Sequence, residues 1–263
     1  MNRLPTVFIS HGAPTFALEP GRAGPALAAL GRALPRPRAV LVVSPHWMST
    51  VPLVGTASRP ETVHDFGGFP AALYRLQYPV SGAPAEAQRA FDLLVAAGWS
   101  PRSDAQRGLD HGAWVPLMHL YPEADVPVFQ VSLPARLDSA SAWALGQALA
   151  PLADEGVLIV GSGSLTHNLY EFRAGDPREA AYAREFSDWV REAVLQRDDE
   201  RLLHTLSRAP HAQRAHPTTE HFLPLLVAAG AAAPQRAVSV IEGGIEHGVL
   251  AMDGYVFGAV ESA

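Results

Sequence analysis

The chain has 263 residues, 48% of them hydrophobic and 17% charged, with a formal net charge of −6. That is material for one large core; it offers no basic face to nucleic acid or anionic lipid, and no apolar run nears the ~20 residues a membrane helix requires. Cysteine is absent, which removes disulfides, thiolate ligands and a thiol nucleophile and fits a reducing, cytoplasmic setting, as does the lack of an export signal before His11.

In chain order, a strand is predicted at Thr6–Ser10, a helix at Gly24–Leu34, a strand at Ala39–Ser44, and helices at Ala83–Ala97 and Ala113–Leu120. A strand at Val126–Leu133, a helix at Ser139–Ala153 and a strand at Val157–Gly161 follow, then helices at Arg178–Gln196 and Glu220–Ala229 and strands at Val238–Glu242 and Leu250–Gly258. Several strand candidates are near-continuous apolar runs, as in strands buried on both faces, and the alternation with helices predicts one α/β domain over residues 1–263. The sheet is expected to be parallel or mixed and flanked by helices, with the charged stretch Arg178–Ala209 as a peripheral helical excursion. There is no internal repeat or low-complexity block.

Eleven histidines accompany the missing cysteines, so any metal would be held by imidazole and carboxylate. His11 follows the first strand, His46 closely follows the second, and His167 lies a short loop beyond the strand near residue 160. Ligands of open α/β sheets bind outside the carboxyl ends of the strands, so these side chains are expected to converge there. The stretch HPTTEHFLPLL, residues 216–226, brings Glu220 and His221 towards the same edge. With Thr218 or Thr219 as N-cap, these two would occupy the first helical turn about 100° apart, one as a ligand and the other as its partner or facing solvent. His216, pushed extended by the proline after it, is read as structural. Isolated histidines are ordinarily surface or hydrogen-bonded groups, and His119, His204, His211 and His247 are read so.

The ordered motifs ISHGAP, SPHW, VHDFGGFP, LDHGAWVPL, GSGSLTHNL and HPTTEHFLPLL resemble those of the class III extradiol ring-cleavage dioxygenases. More narrowly they are similar to the DOPA 4,5-dioxygenase type, in the superfamily of the protocatechuate 4,5-dioxygenase catalytic subunit. The resemblance runs from His11 to about Gly258. It implies a mononuclear non-haem metal site with His11, His46 and His221 as ligands, although spacing alone leaves Glu220 eligible as the third. It makes His167 the acid–base residue and a possible fourth ligand, and His111 a pocket histidine bonding to dioxygen or to a catecholate oxygen. His64 and Phe66 then belong to the substrate loop and Trp47 to the substrate pocket, with Phe69, Trp114 and Phe222 as further wall candidates.

The implied activity is extradiol cleavage of a DOPA-like catechol by O2 to a muconic semialdehyde, in aromatic compound catabolism. Fe(II) is the expected cofactor, and Zn(II) suits the same donors. A catechol and dioxygen demand an open metal, hence about three protein ligands, and a histidine titrating near neutrality can move the phenolic proton. Two rivals use the same residues: a zinc-dependent hydrolase with His167 or Glu220 as base, and a non-catalytic metal-binding protein of this fold. GSGSL lacks the spacing of a serine nucleophile elbow.

Overall fold

The computed structural model describes residues 3–234 and 237–260, so the outermost residues of the expected 1–263 domain lie outside the described residues. A six-stranded sheet is formed by β1 (Thr6–Ser10), β2 (Ala39–Val43), β3 (Val128–Gln130), β4 (Val157–Gly163), β5 (Val238–Ile241) and β6 (Gly254–Phe257). The spatial order is β3-β2-β4-β1-β6-β5. The first four strands run parallel, with Val40 opposite Val128, Val42 opposite Val160 and Phe8 opposite Gly161; β6 is antiparallel to both β1 and β5. Strands β1, β2 and β4 are buried at every residue, which is why their sequences are apolar runs with little alternation.

Among the described residues, six longer helices flank this mixed sheet: α1 (Ala23–Ala33), α2 (Pro84–Ala96), α3 (His111–Leu120), α4 (Ser139–Leu149), α5 (Ala181–Gln196) and α6 (Leu223–Ala231). Helix α6 is buried throughout and packs between α4 and strands β4 and β1. Among the described residues, no helix is long and apolar enough to cross a membrane.

Three predicted elements break where the chain has a local reason. The strand expected over Val126–Leu133 leaves the sheet after Gln130, because Val131 bridges to Val54 and the Ser132 hydroxyl accepts from the Leu53 amide. The helix expected over Ser139–Ala153 is interrupted at Ala150 by Pro151, which has no N–H to continue the ladder. The strand expected over Leu250–Gly258 splits around Asp253, whose carboxylate accepts from the amides of Gly243 and Gly244.

Candidate active site

Four histidines reach the carboxyl edge of the parallel strands from four different elements. His11 follows β1, and the chain then turns through Gly12 at φ +61, where a Cβ would stand 2.7 Å from the Met252 side chain. His46 lies three residues beyond β2, and His111 is the first residue of α3. His221 sits in a turn before α6, not in the helix: α6 begins at Leu223, with Pro224 in its first turn. The expected N-cap at Thr218 or Thr219 is therefore corrected. The Thr219 carbonyl accepts from Phe222 and Leu223, and this turn frees Glu220 and His221 from the 100° separation of neighbours on a helix.

Hydrogen bonds fix which nitrogen is bare in the rings of His11, His221 and His111. Pro116 lacks an N–H, so the Gly112 carbonyl one turn earlier has no helical partner and accepts instead from the Ser162 hydroxyl. With its proton committed, Ser162 Oγ accepts from His11 Nδ1 at 2.9 Å, leaving His11 Nε2 unprotonated in the neutral ring. Likewise His221 Nδ1 donates to Glu220 Oε1 at 3.0 Å, and His111 Nδ1 donates to Asp65 Oδ2 at 3.0 Å. Asp65 also accepts from the His111 amide at 2.9 Å, so this carboxylate caps α3 where the helix dipole favours an anion. Partners of this kind orient metal-binding imidazoles and set their tautomer.

The bare nitrogens face one another. His46 Nε2 lies 3.1 Å from His11 Nε2, and His221 Nε2 is buried with no hydrogen-bond partner. Candidate ligand atoms of His11, His46 and His221 all lie within 4.8 Å of one another, so the triad can hold a metal. His167 falls in a different set, with Glu220 and His221, and its ring stacks on His221 at 3.4 Å between centroids. It stands beside the triad, on the side of His221.

Electrostatics keep these rings neutral. Burial, then repulsion from His46, His111, His221 and His167, holds His11 well below the usual histidine range. Burial, then the neighbouring histidines His167 and His46, does the same to His221. His46 is lowered to about 3, by burial first and then His111, against an opposing pull from Asp65 and Glu220. His167 is lowered to about 4, chiefly by burial. Burial raises Asp65, but its bonds from His111 outweigh this and bring it down to about 2. The result is a set of neutral donors with the ionised Asp65 behind them, the form in which imidazole binds metal.

The cluster opens into a cavity of about 420 Å³, within the span of about 300–1,000 Å³ usual for small-molecule sites. His11, His46, His111, His167 and His221 line it together with Phe66 and Phe69. Two residues expected at the substrate do not line it. Trp47 is buried beneath the Arg107 guanidinium, 5.2 Å from its ring centre. His64 Nε2 donates to the Leu76 carbonyl, and its ring meets Phe66 and Trp114 edge-on, bracing the loop from behind. Trp114 and Phe222 are fully buried core residues, Trp114 donating to the Val63 carbonyl and Phe222 packing on His216. His216 itself is buried, its Nε2 donating to the Leu165 carbonyl at 2.7 Å.

Sequence reasoning missed Asp65, Ser162 and Pro116. Asp65 is adjacent to the singled-out His64, but nothing in the sequence says that the carboxylate, and not the imidazole, faces the histidine cluster.

With this geometry in place, comparison with known proteins decides the family. Residues 6–258 match the family described as the catalytic LigB subunit of aromatic ring-opening dioxygenase. The chain belongs to this family. It is 41% identical over 256 residues to a 4,5-DOPA dioxygenase extradiol of Beta vulgaris, covering 96% of both chains. It is 37% identical to the protein of the same name from Escherichia coli K12, covering 95% of this chain and 93% of that one. The crystal structure of an uncharacterized Escherichia coli K12 protein superposes with a TM-score of 0.79 at 32% identity, covering 97% of this chain and all of that one.

Proposed function

We propose that this ring-opening dioxygenase cleaves a catechol on the extradiol side, with Fe(II) as its native metal and His11, His46 and His221 as its ligands. The observation that carries the proposal is the buried, unpartnered Nε2 of His221, in a triad with His11 and His46 and facing the cavity. An orphaned buried acceptor is costly unless something occupies it. The donor set fits Fe(II), and Zn(II) can fill it too. His221 is favoured over Glu220 as third ligand because Glu220 already accepts from His221 Nδ1 and from the Thr218 hydroxyl.

When bound, the metal lowers the pKa of the diol and supplies the redox chemistry that dioxygen requires. The protein residues handle position and protons. His167, neutral and at the cavity wall, takes a phenolic proton at its ring nitrogen and returns it during ring opening. His111, its Nδ1 proton held by Asp65, presents Nε2 to the reacting oxygens. Phe66, edge-on to His111 at 5.6 Å, closes one side of the pocket against water. The carbon–carbon bond beside the diol breaks, both atoms of O2 enter the product, and no external reductant is consumed. A cytoplasmic setting, suited by the absence of cysteine, belongs to the same proposal.

The test is anaerobic reconstitution with Fe(II), then oxygen uptake with simple catechols while absorbance follows the yellow semialdehyde, beside a zinc-loaded control. Iron-dependent uptake with ring-opened product is expected. Full iron occupancy with no uptake from any catechol would overturn the proposal.

A further inference from the structure

His11, His111 and His221 are each held by a hydrogen bond from Nδ1, to Ser162, Asp65 and Glu220. His46 is held differently. Its Nδ1 stands 3.6 Å from Asp65, beyond a hydrogen bond, and its anchor is the main chain. Among the described residues no backbone amide donates to the His46 carbonyl; its donor is the Arg107 guanidinium, with Nη2 3.2 Å away. The same nitrogen donates to Asp110 Oδ2, also at 3.2 Å, and the guanidinium lies over the Trp47 ring. One planar cation thus touches His46, the residue after it, and the residue before His111.

Both ends of this tie are anchored. Asp104 Oδ1 accepts from the Gln106 and Arg107 amides, at 2.9 Å each, which fixes the turn carrying Arg107. Asp110 is fully buried, and its amide and Oδ2 exchange bonds with the side chain of Gln130, the last residue of β3. There is no slack between the ends. A Cβ on Gly112 would meet Ser44 Oγ at 2.3 Å and the edge of the His46 ring at 3.0 Å. The His46 and His111 rings are 3.9 Å apart between centroids.

We propose that Arg107 is a positioning residue of the dioxygenase, setting the register of His46, a metal ligand, against His111, which meets the reacting oxygens. The proposal rests on the ring-cleavage reading for the roles of those two histidines. Arg107, Trp47 and Asp110 do not line the cavity, so the tie acts on metal binding and turnover and leaves substrate contacts in place. A guanidinium suits the task, because it bonds to oxygens in its plane while its face covers an indole. The competing role is neutralisation. Arg107 is the ion-pair partner of the buried Asp110 carboxylate, and a buried charge stripped of its partner is strongly destabilising.

The experiment separates the two roles with Arg107→Met and the double variant Arg107→Met/Asp110→Asn. The double variant removes the carboxylate's charge along with the cation, and Asp110 makes no side-chain cap bond to α3 that asparagine would forfeit. Three quantities are read on the full chain: the urea midpoint, the Zn(II) affinity of the metal-free protein by chelator competition, and kcat and KM of the Fe(II)-loaded protein for a simple catechol. Arg107→Met should lose stability. The double variant should recover the wild-type midpoint, yet bind Zn(II) about tenfold more weakly and turn over about 10–100-fold more slowly, with KM nearly unchanged. Recovery of Zn(II) affinity or of kcat together with stability would overturn the proposal and leave Arg107 as a counter-ion to Asp110. A double variant no more stable than Arg107→Met would also overturn it, since the residue would then be a packing element of the core. If the wild-type protein consumes no catechol, the ring-cleavage reading fails, and the Zn(II) comparison alone still decides whether Arg107 holds His46.

Discussion

Replacing Gly163 by alanine would act on the site without touching a histidine side chain. Gly163 ends β4, and a Cβ there would stand 2.2 Å from the His221 carbonyl oxygen, where ordinary contact begins at 3.4 Å. The shortfall, about 1.2 Å, cannot be relieved by a flexible side chain, because the obstructing atom is backbone. The same carbonyl accepts from the Ser164 amide at 2.9 Å, so strand and turn are tied together and must separate. His221 then moves about 1 Å away from His11 and His46. Misplacement on that scale costs about 10²-fold in rate where geometry sets the chemistry, and overpacking destabilises by about 1–3 kcal/mol. Metal content, urea unfolding and Fe(II)-dependent oxygen uptake would be measured together. Gly146→Ala is the control: its Cβ would meet the Val227 carbonyl at 2.1 Å, six residues further along the chain from His221. It should cost similar stability while retaining most of the metal affinity. Equal losses of metal in the two variants, or an unimpaired Gly163→Ala enzyme, would refute the idea that this seam positions His221.

Three further outcomes are expected. His11→Ala or His46→Ala should lose the metal by elemental analysis, whereas His167→Ala should keep most of it and lose turnover; metal loss from His167→Ala would make His167 a ligand. Asp65→Asn should lower kcat about 10–100-fold with KM changed far less, because it perturbs the presentation of His111 and leaves the apolar wall intact; an unchanged kcat would remove Asp65 from the mechanism. His216 is lowered to about 4, mainly by burial; an unfolded chain therefore takes up its proton first as pH falls from about 6.5 to about 4. Stability from this residue is fully present above about pH 6.5 and is lost as pH falls towards 4, by about 3 kcal/mol at about 1.4 kcal/mol per pH unit. His216→Gln should flatten the urea-unfolding profile over that window, and an unaltered slope would contradict it.

The fold was legible where burial leaves a simple mark. β1, β2 and β4 are apolar runs because both faces are covered, and the histidines just past β1 and β2 stand out as polar groups at the edge of a core. The motif resemblance singled out His11, His46, His111, His167 and His221, and the structure brings these five side chains to one cavity. What stayed illegible depends on backbone detail. Nothing in HPTTEH says that the chain turns at Glu220–Phe222 before the helix starts, yet that turn lets one carboxylate fix the tautomer of the next residue. Trp47 follows His46 directly and so invites a place at the substrate, but the chain turns there, the Trp47 amide donating to the Ser44 carbonyl, and the ring ends up covered by Arg107. The route from Pro116 through Gly112 and Ser162 to His11 joins two separate segments and has no sequence pattern at all.

The most direct test of the account is a turnover of the Fe(II)-loaded protein with a catechol under ¹⁸O₂, the product being trapped and weighed by mass spectrometry. Extradiol cleavage at the His11–His46–His221 site predicts a ring-opened semialdehyde carrying both labelled atoms. An intact ring, or a product without ¹⁸O, would contradict it.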